Sequence, residues 1–332
     1  MRNIVKLSAI ALLVATATGC AVGPDYQAPQ SVANINVSMP YQQAERAQNW
    51  WQAFDDVVLN QLITEALAQN RTLAQARYNA ERAYAVFSDA SNDWLPKGTL
   101  DAGYQASENP SVSPLDDGVI SRGYNTGANL SWDLDLFGKI LRATEAAEAN
   151  AQQAELLWQD ARLQLISQVA STYGDYRGAQ LRLVVAEQNR HNLQQSRDIV
   201  KARLDAGMAS ELELAQIDVQ LHQVKASVPV YRTALLTAGA TLSALLAQQP
   251  GELKLGAVPH LPELKQPVAL VDGENYLRYR ADVAVAERAL AASTAQIGVA
   301  TADLYPNLSV RGFLGFISGP GLTLNGDTQS WA

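Results

Sequence analysis

Two hydrophobic periods divide this chain. Residues 93–106 alternate with a period of two. Gly98, Leu100, Ala102, Tyr104 and Ala106 fall on one face, and Lys97, Thr99, Asp101, Gly103 and Gln105 on the other. Residues 123–135 repeat the pattern, with Tyr124, Thr126, Ala128, Leu130, Trp132 and Leu134 set against Gly123, Asn125, Gly127, Asn129, Ser131, Asp133 and Asp135. Alternation puts successive side chains on opposite faces of a strand, so strands are predicted over 95–106 and 122–135. Between them, Ser107 to Ser121 contains Pro110, Pro114 and Asp117-Gly118, the chemistry of a long loop.

The second period is helical. From Lys139 to Ala206 no proline occurs, and Ala143, Ala147, Ala151, Ala154, Leu157, Trp158, Ala161, Leu165 and Val169 recur at spacings of three and four. The pattern predicts one helix over 139–207, about 100 Å long at ~1.5 Å per residue. A helix of that length coils against partners, and its alanines permit close approach on more than one face. Gly207 suits a left-handed helix end, and Ser210-Glu211-Leu212-Glu213 reads as a capping box. Together they predict a tight hairpin over 203–213. The next helix, 210–247, is disturbed at Pro229 and ends before Pro250-Gly251, and a linker with Pro259, Pro262 and Pro267 follows.

The chain also repeats itself. A shift of 210 residues aligns Leu67 with Leu277, Ala74 with Ala284, Ala76 with Ala286, Ala85 with Ala295, Ala90 with Ala300, Asp93 with Asp303 and Pro96 with Pro306. Both copies run from an alanine-rich helix (62–92 and 274–303) through Asp-x-x-Pro into a strand. In the second copy that strand is 307–317, where Leu308, Val310, Gly312, Leu314 and Phe316 alternate with Asn307, Ser309, Arg311 and Gly315, and Phe313 interrupts the polar face. An internal duplication follows, with a first repeat at 49–272 and an incomplete second at 273–332, ending where its second strand should begin. The fold class is therefore mainly α with β-strands.

The N-terminus changes the reading of those strands. Arg2 and Lys6 precede an apolar stretch from Leu7 to Thr18, 12 residues, which is too short for a bilayer span of ~20 and suits a secretory signal. It ends in Ala17-Thr18-Gly19-Cys20, so residues 1–19 read as a signal peptide, with 20–48 an extended segment behind it. Cys20, the only cysteine, reads as the acceptor of a diacylglyceryl group; an ordinary signal peptide with an incidental cysteine is the plainer alternative. Ala21, rather than Asp, points to sorting to the outer membrane of a Gram-negative cell. No other stretch reaches 18 apolar residues, so any membrane span is built from strands. The polar strand face carrying Asp101, Asp133 and Asp135 would then line a water-filled lumen, with Tyr104, Tyr124 and Trp132 outward. A soluble antiparallel sheet with one wet face gives the same alternation.

Composition narrows the function. Of 332 residues 17% are charged, and 25 Lys+Arg against 33 Asp+Glu give a net charge of −8, which argues against nucleic-acid binding. Removing the signal leaves 23 basic against 33 acidic residues, or −10. A single cysteine excludes a disulfide framework or multi-cysteine metal site, and His191, His222 and His260 have no ligand-like spacing. None of G-x-S-x-G, a P-loop, G-x-G-x-x-G opening a helix, or H-E-x-x-H occurs. No catalytic residue, cofactor or metal is expected beyond the lipid on Cys20.

Several motifs in order resemble one family. Gly19-Cys20-Ala21-Val22-Gly23-Pro24-Asp25-Tyr26-Gln27-Ala28-Pro29, Trp50-Trp51-Gln52-Ala53-Phe54-Asp55-Asp56, Ser131-Trp132-Asp133-Leu134-Asp135-Leu136-Phe137-Gly138, Arg203 to Ala215, and Ala281-Asp282-Val283 to Ser309 resemble outer-membrane factors of the TolC/OprM type, in the lipoprotein (NodT-like) branch. Val57 and Ala281 stand where the family commonly has Pro, and Leu204 where it has Tyr. The resemblance implies a homotrimer whose protomers each give four strands to a 12-stranded outer-membrane barrel, continued by helices as a periplasmic tunnel. It implies docking on a periplasmic adaptor joined to an inner-membrane pump, with Arg203, Gly207 and Ser210 in the adaptor-contacting tip. Plain helix capping explains Gly207 and Ser210 equally well. Helices 62–92 and 210–247, of 31 and 38 residues, together match the 69 of 139–207, as when two short helices stack beside a long one.

The implied function is passive efflux of drugs or other small solutes. A type I protein-secretion duct keeps the same fold, and a coiled-coil spacer lipoprotein explains the helices and lipid alone. The second helical hairpin, with the gate residues, is missing, so the chain is expected to be a piece of a longer protein or the product of a shortened gene. Alone it is not expected to form a working channel, because open strand edges are not tolerated in lipid.

Overall fold

The computed structural model describes residues 21–29, 41–43, 49–109, 119–253, 255–256, 261–265, 268–270, 280–318 and 329–331. Residues 1–20, and with them the signal segment and Cys20, lie outside that set. In chain order the elements are β1 (Tyr41–Gln43), a 3-10 turn at Trp50–Phe54, α1 (Val57–Gln69), α2 (Arg71–Ala90), β2 (Lys97–Asn109), β3 (Val119–Leu134), α3 (Lys139–Asp205), α4 (Glu211–Leu245), β4 (Val268–Leu270), α5 (Ala281–Ala302), β5 (Leu308–Ser318) and β6 (Gln329–Trp331). The chain divides into two compact units. One is Met1–Pro29, Glu81–Gln153 and Ala286–Ala332, and the other Gln30–Ala80 and Ala154–Val285.

The first unit holds a four-stranded antiparallel sheet in the order β2-β3-β5-β6. Tyr104 pairs with Tyr124, Leu100 with Ala128, and Trp132 with Val310, so apolar residues meet across each ladder. The predicted strands are present and longer than expected, reaching Asn109 and starting at Val119, which shortens the Ser107–Ser121 loop to its centre. Three strand candidates were expected. The structure adds the start of a fourth, with β6 placing Trp331 opposite Leu314. Three paired residues are too short a run to show a period, which is why alternation missed them.

The duplication reappears as architecture. The same 210-residue offset carries Arg71, which opens α2, onto Ala281, which opens α5, and Val119, which opens β3, onto Gln329, which opens β6. Helix α5 begins later than the predicted 274, and residues 271–279 lie outside the described set. The Asp-x-x-Pro corner holds an ion pair in each copy, Lys97 Nζ to Asp93 at 2.6 Å and Lys139 Nζ to Asp303 at 2.5 Å.

The second unit is a helical core. Trp51, Leu59, Leu62, Ile63, Ala66, Leu73, Leu165, Ile166, Val169, Tyr173, Leu242 and Leu246 are buried together, from the 3-10 turn and α1 to α4. The helix predicted over 62–92 is two helices and starts earlier. Asp56 caps α1 by accepting from the Val58 and Leu59 amides at 2.9 and 3.0 Å. Asn70, in an extended conformation (φ −62°, ψ 122°), separates α1 from α2. Its Oδ1 accepts from the Leu73 amide and its Nδ2 donates to the Leu245 carbonyl, both at 2.9 Å. A short amide that satisfies both helix ends overrides the continuous apolar period. Helix α4 runs through Pro229. A parallel ladder of three residue pairs, which the sequence pattern does not predict, joins β1 to β4, with Tyr41 opposite Val268.

Candidate functional site

The hairpin between α3 and α4 is built by capping. The Met208 amide donates to the Arg203 carbonyl at 2.7 Å and the Gly207 amide to Leu204 at 2.9 Å, with Gly207 at φ +74°. This pair of bonds is a Schellman end, which requires the left-handed residue that glycine supplies without a Cβ penalty. Ser210 opens α4: its Oγ accepts from the Glu213 amide at 3.2 Å and donates to Glu213 Oε1 at 3.1 Å. The Arg203 guanidinium donates to the Met208 carbonyl at 3.2 Å, so it also braces the turn. The three predicted tip residues therefore come together in one exposed loop, beside Met208 and Leu212, which are 65% and 67% exposed. A cation flanked by bare apolar side chains suits docking to a partner surface.

Below the tip, the two helices are zipped by charge. Arg197 Nε donates to Asp218 at 2.6 Å, and the Asp218 carboxylate raises the arginine pKa further above its ordinary value. Glu187 receives Arg190 at 2.7 Å along α3 and Arg232 at 3.4 Å from α4.

The sheet presents two chemically different faces. Leu100, Tyr104, Tyr124, Leu130, Trp132, Val310 and Leu314 share one face and are exposed, Leu100 to 89%. The Tyr104 and Tyr124 rings lie 4.8 Å apart, and Trp132 Nε1 donates to the Trp94 carbonyl at 2.9 Å. On the opposite face the Asp101 carboxylate accepts from the Asn129 amide, and Asp133 stands opposite Ser309. Asp135 does not share that position. It lies beyond the end of β3, and its carboxylate accepts from the Leu141 amide at 2.9 Å, capping the start of α3. A carboxylate near the first turn of a helix is favoured there by the free amides and the dipole. Phe313, which interrupts the polar pattern, packs against two glycines. A Cβ on Gly127 would come within 2.5 Å of its ring, and one on Gly315 within 2.6 Å.

One buried polar group escaped the sequence reading. Tyr173, fully buried, donates its hydroxyl to Asp56 Oδ2 at 2.8 Å and receives Arg177 Nε at 3.1 Å. Arg177, 2% exposed, also reaches the Gly256 carbonyl at 2.7 Å. Burial raises the Tyr173 pKa above its ordinary value. The only sequence signal was Asp56 at the end of the Trp50–Asp56 motif. Among the described residues, no group of His, Cys, Asp and Glu is placed to hold a metal ion, and no helix is long and apolar enough to cross a membrane.

Comparison with known proteins agrees with this geometry. A family described as outer membrane efflux protein matches residues 62–248. Nodulation protein T of Rhizobium leguminosarum bv. viciae is 30% identical over 313 residues, 92% of this chain and 63% of that protein. The cation efflux system protein CusC of Escherichia coli O157:H7 is 30% identical over 302 residues, 88% of this chain and 64% of that one. The solved outer-membrane channel OprN superposes with a TM-score of 0.84 at 37% identity, covering 94% of this chain and 72% of the other. The chain thus spans somewhat under two thirds of the length of the first two curated relatives.

Proposed function

We propose, for a chain that belongs to the outer membrane efflux protein family, that it is the outer-membrane channel subunit of a tripartite efflux system. Three copies each contribute four strands to a 12-stranded barrel, and their long helices continue it through the periplasm as a passive duct for drugs or other small solutes. Cys20 carries the lipid anchor, an adaptor docks on Arg203 and its neighbours at the hairpin tip, and an inner-membrane pump supplies the cargo. Its relatives' names divide between cations and organic compounds: a cation efflux system protein, and a toluene efflux pump outer membrane protein of Pseudomonas putida. A duct that recognises no single solute accommodates both. The family is one of efflux channels rather than enzymes.

One observation carries this reading. A sheet with a bare apolar face and a polar face is joined, through the four residues Asp135 to Gly138, to a helix of 67 residues. Spanning strands need an outer apolar face against lipid and can keep a polar face only toward a lumen. The aromatic spacing supports it. Trp132 and Tyr124 are eight residues apart on β3, ~26 Å along the strand at ~3.3 Å per residue. At a tilt of ~40° they lie ~20 Å apart in height, comparable to the ~25 Å apolar band between aromatic girdles.

The tip tests the docking assignment. Arg203→Glu reverses the charge on the last turn of α3 and removes the bond to the Met208 carbonyl, leaving core and sheet untouched. In cells carrying the full gene it is expected to lower efflux at least tenfold with normal outer-membrane abundance. Unchanged efflux at that abundance would remove Arg203 from the adaptor contact.

A further inference from the structure

The nine residues after Cys20 are seated in a site of their own. The Val22 amide donates to the Phe137 carbonyl at 3.2 Å, and Ala21 packs on Gly138, where a Cβ would meet it at 2.7 Å. Gly23, at φ +94°, lies against Gly298 of α5, where an added Cβ would come within 2.5 Å of the backbone. Beneath this crossing is Arg142 on the first turn of α3, 5% exposed, with its stem against Gly298. Its Nε donates to the Val22 carbonyl at 3.2 Å and one Nη to Asp25 at 2.6 Å, while Glu145 receives the other Nη at 2.8 Å. The hydrogen bonds to the Asp25 and Glu145 carboxylates hold the Arg142 pKa above its ordinary value. Further along, the Tyr26 hydroxyl donates to Glu287 at 3.0 Å, and its ring packs on Ala149, Ala291 and Ala292 with the Arg288 guanidinium 5.5 Å from its centroid.

A segment that merely linked a lipid to a folded body would need none of this. A buried cation with two carboxylate partners, a glycine crossing and a packed aromatic all recognise nine residues that begin one position after the lipidated cysteine. We propose that Ala21–Pro29 is a docking strap, and that Arg142 is the positioning residue that locks it. The strap fixes the lipid attachment point beside the Phe137–Gly138 turn, where strand β3 passes into helix α3. Acyl chains on residue 20 then enter the bilayer at the level where the strands leave it, and the anchor sets the height of the duct rather than only retaining it. The reasoning rests on Cys20 being acylated.

Chymotrypsin reads both the strap and the acylation. A cut after Tyr26 requires the strap to leave its seat, and the peptide released carries residue 20, whose mass reports the acyl group. The experiment uses full-length protein extracted from outer membranes, with Arg142→Gln, which leaves the strap sequence unaltered, and Asp25→Asn, which leaves both helices unaltered. Each rate is divided by that of the same chain unfolded in detergent. The expected result is an acylated peptide from every protein, released at least tenfold faster from both variants than from wild type. Should Arg142→Gln fail to assemble, Asp25→Asn alone carries the comparison. An acylated peptide released from wild type as fast as from the variants overturns the strap. An unacylated peptide overturns the lipid-anchor reading itself, whatever the rate.

Discussion

Asp56 does two jobs with one carboxylate: one oxygen caps α1 through two amides, and the other receives the buried Tyr173 hydroxyl. Removing a cap costs ~1 kcal/mol, and orphaning a buried donor adds ~1–3 kcal/mol. Asp56→Ala is therefore expected to lose about 2–4 kcal/mol and Tyr173→Phe about 1 kcal/mol, measured by denaturant unfolding of the helical region. Equal losses in the two variants would mean that the cap contributes nothing. This network was illegible in the sequence, because Tyr173 and Arg177 sit within a helix whose period marks them only as one face, and Asp56 lies more than a hundred residues away. The tip was legible, because Gly207 and Ser210 are chemical signals that act within five residues. Alternation carries the predicted strand one residue past Leu134, to Asp135, which the structure uses to cap α3.

Among the elements, the long ones were read correctly and their interruptions were not. Helix α3 follows from 67 residues without proline or glycine breaks strong enough to stop it, since Gly174 and Gly178 have no backbone crowding that would exploit them. Asn70 breaks the neighbouring helix because its amide serves two helix ends at once, a property that depends on Leu245, far along the chain. Strand β5 shows a different compensation. Phe313 on the polar face covers glycines of its own and the adjacent strand, and ring over glycine restores the packing that glycine lacks. Gly315→Val would place methyl groups against the Phe313 ring and the Thr126 carbonyl, where a Cβ alone stands 2.5 Å from that oxygen. Gly98→Ala meets only the Asn129 carbonyl, at 3.9 Å. The first substitution is expected to abolish, and the second to retain, the heat-resistant oligomer band on gels of unboiled outer membranes. Equal behaviour of the two would mean that the packing of Phe313 on Gly127 and Gly315 is not part of the folded sheet.

At the scale of the molecule, the duplication and the sheet make one argument. A 210-residue offset that maps helix start onto helix start and strand start onto strand start implies two strands per repeat, hence four per protomer. Four strands leave two open edges and a bare apolar face, which lipid tolerates only after closure. Closure by three copies gives 12 strands, an even number within the range of outer-membrane barrels. The measurement that tests this most directly is the native mass of the detergent-extracted outer-membrane species, from cells expressing the full gene. Three protomers per particle, each carrying the mass of acyl chains, is the predicted result. A monomer, or a species recovered in the soluble periplasmic fraction, would contradict the closed barrel and reduce the alternating strands to an ordinary sheet with one wet face.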